Sequence, residues 1–241
     1  MRNLGIHVYG LAAAALGAIA LAWGDFALVW QPVPADVPGR TILAYATGVA
    51  LLLAGLAVNW RRTAAYGAAA LTILFALGVV MLHGPLVVAR PFNLGVWGGV
   101  AEQLALVAGG LVAYASVTGS DGLSRIGRIA FGLCLLVFGA EHFRYAAETA
   151  AMVPKFLPPG GMFWAYVTGA AHIAAGLAIL SGIEARVAAI LLTAMFAVFA
   201  VLVHAPLLLA PSHLHWVMNA MNLALTGAAW TLADSLRPQR R

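Results

Sequence analysis

The sequence predicts an all-α integral membrane protein with eight transmembrane helices, arranged as two parallel four-helix repeats. Three observations carry this prediction. Apolar residues make up 63% of the 241 residues and charged residues only 9%, whereas soluble domains carry about 25% charge. Eight apolar runs are each long enough to cross a bilayer. A long stretch of the chain also occurs twice.

The eight runs account for most of the chain. A membrane-spanning helix needs roughly 20 mostly apolar residues. The runs lie near residues 4–29, 41–59, 64–83, 96–117, 124–145, 162–181, 185–204 and 214–234. Because an even number of spans returns the chain to its starting side, four spans per repeat give the two repeats the same orientation.

The repeat relates residues 41–86 to residues 162–207. Tyr45-x-Thr47-Gly48 recurs as Tyr166-x-Thr168-Gly169, and His83-x-Pro85 recurs as His204-x-Pro206. Both pairs have one offset, since 166−45 and 204−83 equal 121. After a two-residue slip, Trp97 corresponds to Trp216 at an offset of 119. A tandem duplication explains this pattern, and it divides the chain into units at residues 1–120 and 121–241.

The first run also has features of a secretory signal, namely Arg2, an apolar stretch and Ala20-Leu21-Ala22. The repeat argues against its removal, because this run occupies the place of the fifth run in the second unit. We therefore count it as a transmembrane helix.

Arginine and lysine predict the orientation. One side of the predicted bundle carries nine of these residues and the other carries four. The first set is Arg2, Arg61, Arg62, Arg125, Arg128, Arg186, Arg237, Arg240 and Arg241, and the second is Arg40, Arg90, Arg144 and Lys155. Positive residues favour the cytoplasmic side, which predicts that both termini lie in the cytoplasm. So few charges do not indicate nucleic-acid binding.

Ionisable side chains concentrate in the outer half of the predicted spans, where their burial is costly enough to indicate function. This set includes Asp25, His83, Glu102, Glu141, His142 and His204, which are candidate site residues, and also Arg144, His213 and His215. His172 lies near the middle of the sixth run. On the last run, Asn219 and Asn222 follow one helical stripe. The six candidates of the outer set, together with His172, Asn219, Asn222 and Tyr166, are the ten candidate ligand-binding residues.

Structural roles remain open for several candidates. His83 and His204 can cap free carbonyls at helix ends, and Asp25 and Glu141 can be solvated at the membrane surface. Asn219 and Asn222 are more often bonds between helices than sites. Glu102 and His172 lie deeper, which favours buried hydrogen bonds or ligand contact.

The chemistry of the set suits a quinone headgroup. Its ring carbonyls accept hydrogen bonds from histidine or tyrosine, and histidine or carboxylate groups can relay its protons. Tyr145, Tyr166 and Trp164 can flank the ring. The same groups suit a small polar solute passing between the repeats. Haem is a weaker candidate, and no metal site is predicted. No hydrolase, kinase or nucleotide-binding motif occurs, so no catalytic residue is assigned.

Short motifs in the second unit carry a family resemblance. They are Phe138-Gly-Ala-Glu-His-Phe143, Val153-Pro-Lys-Phe-Leu-Pro158 and Trp164-x-Tyr166-x-Thr168-Gly169. With them the second unit resembles the DoxX-like family of small four-helix membrane proteins. The first unit resembles it less, because Gly24-Asp25-Phe26 replaces the Glu-His-Phe element. The resemblance implies a bacterial inner-membrane bundle, in a family with some members linked to quinone-dependent oxidoreductases.

These observations predict a quinone- or lipid-interacting membrane subunit that works with a redox partner protein. Two other functions fit the same sequence. The protein can be a small-solute transporter that moves its substrate between the two repeats, or a membrane scaffold without activity of its own.

Overall fold

The computed structural model describes residues 3–237, which are helical with no β-strand. Its α-helices are α1 (Leu4–Trp23), α2 (Arg40–Val58), α3 (Ala64–Gly78), α4 (Gly84–Ala89), α5 (Leu94–Thr118), α6 (Asp121–Arg144), α7 (Ala146–Met152), α8 (Gly161–Ser181), α9 (Ala185–Phe199) and α10 (His213–Ser235). Short 3₁₀ turns at Leu28–Trp30 and Ala205–Leu209 and π turns at Val79–His83 and Ala200–His204 complete the described helical segments.

Seven segments of the described chain are long and apolar enough to cross a membrane. They are Leu4–Trp23, Arg40–Val58, Ala64–Ala89, Leu94–Thr118, Asp121–Arg144, Gly161–Ser181 and Ala185–Leu209. The prediction of an all-α protein built from transmembrane helices is confirmed. The eighth predicted span corresponds to α10, which is 23 residues long but carries polar residues along its length. Its status as a span and the two-repeat architecture remain predictions.

The long helices form a closed series of neighbours. α1 packs on α2, α2 on α3, α3 on α5, α5 on α6, α6 on α8, α8 on α9, α9 on α10, and α10 returns to α1. α5 and α10 also contact each other across the bundle. Gly5 meets Thr231 and Gly227 meets Tyr9, so α1 and α10 run antiparallel and both ends of the described chain lie at one end of the bundle. The cytoplasmic assignment of that end remains a prediction, and Arg2, Arg240 and Arg241 lie outside the described residues.

The contact between α1 and α10 depends on glycine. A Cβ atom added at Gly227 would lie 2.3 Å from the backbone nitrogen of Tyr9. We therefore expect Gly227→Ala to force the two helices apart and to lower the free energy of unfolding by about 1–3 kcal/mol. Thermal unfolding in detergent measures this effect. Gly122→Ala on α6 is the matched control, because a Cβ atom there meets nothing within 4 Å. Equal stability of the two variants would contradict the close packing.

Two π turns shape the end of the bundle that lies opposite the termini. The turns at 79–83 and 200–204 each end in a histidine, His83 and His204, followed two residues later by Pro85 or Pro206. Proline has no N–H group, and its ring clashes with the carbonyl four residues before it. The backbone widens instead, with Gly84 N–H donating to the Val79 carbonyl five residues earlier. Such widened turns redirect side chains and often occur at functional sites.

Candidate functional site

A cavity of about 500 Å³ lies among α6, α8, α9 and α10 at the end of the bundle opposite the termini. This volume is typical of small-molecule sites. Its apolar wall includes Phe138, Met152, Leu157, Phe196, Phe199, Leu202, Val203, Met218, Met221 and Leu225. Its polar lining comprises Trp30, Glu102, Glu141, His142, Tyr145, Thr149, Trp164, Thr168, His172, His204 and Asn222.

Two carboxyl groups face this cavity from adjacent helices. Glu141 lies on the last turn of α6, and its carboxylate lies where a side chain at Gly98 of α5 would be. Glu102 follows Gly98 by one helical turn, so it shares the same face of α5 and lies within electrostatic range of Glu141. Among the described residues neither carboxylate forms an ion pair. Two unpaired acidic groups in an apolar wall cost stability, which indicates function.

A pair of histidine rings lies beside the carboxyl groups. The ring centroids of His142 and His172 are 4.7 Å apart. The Nδ1 atom of His142 lies 2.8 Å from the Phe138 carbonyl oxygen, and that of His172 lies 2.8 Å from the Thr168 carbonyl oxygen. Because a carbonyl only accepts, Nδ1 donates in both rings, and Nε2 of each neutral ring is left as an acceptor.

His172 is the most enclosed of the candidate residues. Its side chain is only 1% exposed, and its ring packs against those of Phe138 at 5.8 Å and Phe196 at 5.6 Å between centroids. Gly169, one turn before His172 on α8, packs against the Cβ of His142. The close approach of α6 and α8 thereby brings the two histidines together.

Three further polar groups of the lining lack hydrogen-bond partners within the described chain. They are the indole nitrogen of Trp30, Nδ1 of His204 and Oδ1 of Asn222. The Trp30 indole lies beside the Glu102 carboxylate without reaching it in hydrogen-bonding geometry. Buried polar atoms are nearly always paired, and all three of these atoms belong to residues that line the cavity.

His83 lies behind the cavity and not on its wall. Its Nε2 atom donates to the Trp30 main-chain carbonyl at 3.1 Å, and the Gln103 side-chain amide donates to the same oxygen at 2.7 Å. His83 is 2% exposed, and its Nδ1 edge lies against Gly99. Both ring nitrogens are therefore enclosed by protein, which leaves His83 no room to ligate haem iron. The role as a carbonyl cap is the one that the structure supports.

Besides His83, three predicted site residues lie outside the cavity lining. Asp25 forms an ion pair with Arg40, with 2.5 Å between Oδ1 and NH1. Tyr166 is 46% exposed and stacks on Phe143, with ring centroids 5.8 Å apart. Asn219 is half-buried on α10. The structure thus unites six of the ten candidates, Glu102, Glu141, His142, His172, His204 and Asn222, in one cavity.

Sequence reasoning missed Trp30 and Gln103. Trp30 lies in a 3₁₀ turn between two helices, where no periodic pattern predicts direction. Gln103 directly follows Glu102 and is 3% exposed; a polar amide inside an apolar run was the available signal. The described residues contain no group of three or more His, Cys, Asp or Glu side chains that could hold a metal ion.

Comparison with known families adds one finding. Residues 123–205 match the model of the DoxX family. Over this segment the chain is similar to that family. The match confirms the resemblance predicted for the second half of the chain, whereas the weaker resemblance of the first half remains a prediction. No curated protein and no solved structure matches the chain.

The DoxX-like segment supplies most of the cavity. It contains Glu141, His142, His172 and His204, together with the aromatic wall from α6 and α9. Trp30, Glu102 and Asn222 come from outside it. Residues from both halves of the chain therefore line one cavity.

Proposed function

We propose that the protein is an integral membrane subunit that binds a quinone headgroup in this cavity and works with a redox partner protein. One observation carries the proposal. Two carboxyl groups without a cation and two imidazoles with free Nε2 atoms face the same apolar cavity of about 500 Å³. Proton-exchanging groups in an apolar, ring-sized space suit a quinone better than a fatty acyl chain, because an acyl chain neither exchanges protons nor forms hydrogen bonds.

The position of the cavity supports entry from the lipid phase. Its wall includes Val198 and Met152, which are 51% and 45% exposed. The cavity therefore extends to a surface that is apolar. A ligand with a long isoprenoid tail can leave that tail in lipid while its ring occupies the cavity, since lipid and tail have the same solvation preference.

The chain's own residues suit the proton chemistry of this ligand. Reduction of a quinone to its quinol takes two electrons and two protons, and the redox partner would supply the electrons. Glu141 and Glu102 repel each other when both are ionised, so the pair is suited to hold and release a proton. The Nε2 atoms of His142 and His172 can exchange a second one. Such groups contribute about 10²–10⁴-fold to a rate.

The same proposal includes the membrane arrangement. It comprises eight spans as two parallel units, residues 1–120 and 121–241, in a bacterial inner membrane with cytoplasmic termini. The bounds of several elements support the duplication: α3 begins at Ala64 and α9 at Ala185, and the π turns begin at Val79 and Ala200. Both differences equal 121, the offset of the sequence repeat.

A titration with a short-chain ubiquinone tests the proposal, because Trp30 and Trp164 line the cavity and a bound quinone quenches nearby tryptophan fluorescence. We expect saturable quenching by the wild type. Val203→Trp fills the cavity and should weaken binding at least about tenfold, the consequence of losing roughly 1.4 kcal/mol. Val201→Trp is the matched control, since Val201 lies in the same π turn but is 65% exposed and outside the lining. Equal affinities of the two variants would contradict the site.

One observation favours transport as a second candidate function. A further cavity of about 440 Å³, lined by Thr193, Thr226 and Asp234 among others, lies toward the termini. Asn222 lines the first cavity and Thr226, one turn later on α10, lines the second. A polar solute would therefore find polar groups in both halves of the bundle. Uptake of labelled solutes into proteoliposomes, compared with empty liposomes, tests this function.

A further inference from the structure

The first half of the chain contains an internal carbonyl site. The main-chain oxygen of Trp30 accepts two hydrogen bonds, from His83 Nε2 at 3.1 Å and from Gln103 Nε2 at 2.7 Å. His83 comes from the end of a π turn and Gln103 from the middle of α5. The two donors together satisfy both lone pairs of one oxygen.

In the second half of the chain, two polar residues lie at the positions that correspond to His83 and Gln103. His204 ends the second π turn, at an offset of 204−83 = 121 from His83. Asn222 lies on α10 at an offset of 222−103 = 119 from Gln103, and α10 begins 119 residues after α5, at His213 and Leu94. These are the two offsets of the sequence repeat, so the pairs occupy corresponding positions.

Both residues of the second pair line the cavity and have an unused polar atom. Nδ1 of His204 and Oδ1 of Asn222 are buried without a partner in the described structure. Asn222 is only 7% exposed. Oδ1 of Asn222 only accepts, so the part of this amide that can donate to a ligand carbonyl is Nδ2. The Thr226 hydroxyl donates to the Asn222 main-chain oxygen and not to this amide.

We propose that His204 and Asn222 together donate hydrogen bonds to one carbonyl oxygen of the bound quinone, as His83 and Gln103 do to the carbonyl of Trp30. This inference rests on the proposed function and specifies how the ring is held. The Trp30 indole N–H, which only donates, lies in the same cavity beside the Glu102 carboxylate. The site therefore selects a ring that carries acceptor oxygens.

Infrared difference spectroscopy tests this inference in the purified full-length protein. The probe is a short-chain ubiquinone labelled with ¹³C at one ring carbonyl or the other. A carbonyl that accepts hydrogen bonds absorbs at a lower frequency than the same group in detergent alone. We expect one of the two ring carbonyls to be shifted down strongly in the wild type.

Variants identify the donors. Asn222→Leu and His204→Leu should each reduce the shift and weaken binding by about tenfold, the usual consequence of one lost hydrogen bond with its desolvation. Asn222→Gln keeps an amide, as in Gln103, and should restore most of the shift. Asn219→Leu is the matched control, because this asparagine lies on the same helix but outside the cavity lining.

The outcomes separate the inference from the proposed function. Wild-type protein that binds no ubiquinone overturns the proposed function and the inference with it. Wild-type protein that binds ubiquinone with both carbonyl bands unshifted overturns the inference alone, and this result needs no folded variant. A shift that persists in both leucine variants likewise assigns the carbonyl to other donors.

Discussion

Glu141→Gln is expected to lower quinone-dependent turnover by about 100-fold, the lower end of what a positioned acid–base group contributes. The carboxylate lies between α5 and α6, against Gly98 and in range of Glu102. Glutamine keeps the shape and can still form hydrogen bonds, but it cannot release a proton at neutral pH. Ubiquinone affinity should therefore change little, so the loss appears in the maximal rate and not in the half-saturating concentration.

The measurement is quinol formation in membranes of a strain that carries the variant in place of the wild type, with its redox partner present. His142→Gln should show the same pattern, because its Nε2 acceptor is lost. Glu148→Gln is the matched control, since Glu148 lies on α7, exposed and outside the lining. Full turnover in both the Glu141 and His142 variants would refute the role given to these residues.

Glu102→Gln is expected to change stability and activity in opposite directions. Removing one acidic group from the apolar cavity eliminates its repulsion with Glu141 and its desolvation cost. Stabilising changes at strained functional sites commonly contribute about 0.5–2 kcal/mol, so the thermal unfolding temperature in detergent should rise. Turnover should fall by about 100-fold, because Glu141 loses the group with which it shares its proton.

A double-mutant cycle tests the pairing directly. If the two carboxyl groups act as one unit, Glu102→Gln combined with Glu141→Gln should be little slower than either single variant. Effects on turnover that multiply would show that the groups work independently. A lower unfolding temperature for Glu102→Gln would show that this carboxylate serves structure.

The helices and the position of the polar cluster could be predicted from sequence because both follow from hydrophobicity. Apolar runs of about 20 residues predict seven segments that match the observed spans within a few residues, apart from the ends near the π turns. The first run was also predicted too long, because it extends to residue 29 whereas α1 ends at Trp23. Glu102, Glu141 and His172 stand out as ionisable groups within such runs, where burial needs a reason. Their meeting in one cavity follows from helix ends that share a membrane depth.

Side-chain direction was less predictable. Tyr166 lies two residues before Thr168 on α8, which places it about 200° around the helix from the cavity face that Thr168 and His172 share. Asn219 lies one residue beyond Met218, which lines the cavity along with Met221, Asn222 and Leu225. The sequence predicts one polar stripe on α10, but of its two asparagines only Asn222 lines the cavity.

The side-chain positions of loop residues could not be predicted from helical periodicity. Asp25 lies just after α1, and its ion pair with Arg40 depends on the conformation of the loop at residues 24–39. Trp30 enters the cavity from the same loop, held by the hydrogen bonds from His83 and Gln103 to its carbonyl. Helical periodicity contains no information about such a segment, since the direction of each side chain is set by tertiary contacts.

The most direct test of the central claim is the lipid content of the protein purified in mild detergent, measured by mass spectrometry of an organic extract together with an optical spectrum. We expect about one quinone per chain in the wild type and its loss in Val203→Trp but not in Val201→Trp. A wild-type extract without quinone, from membranes that contain it, would show that the cavity does not bind quinone.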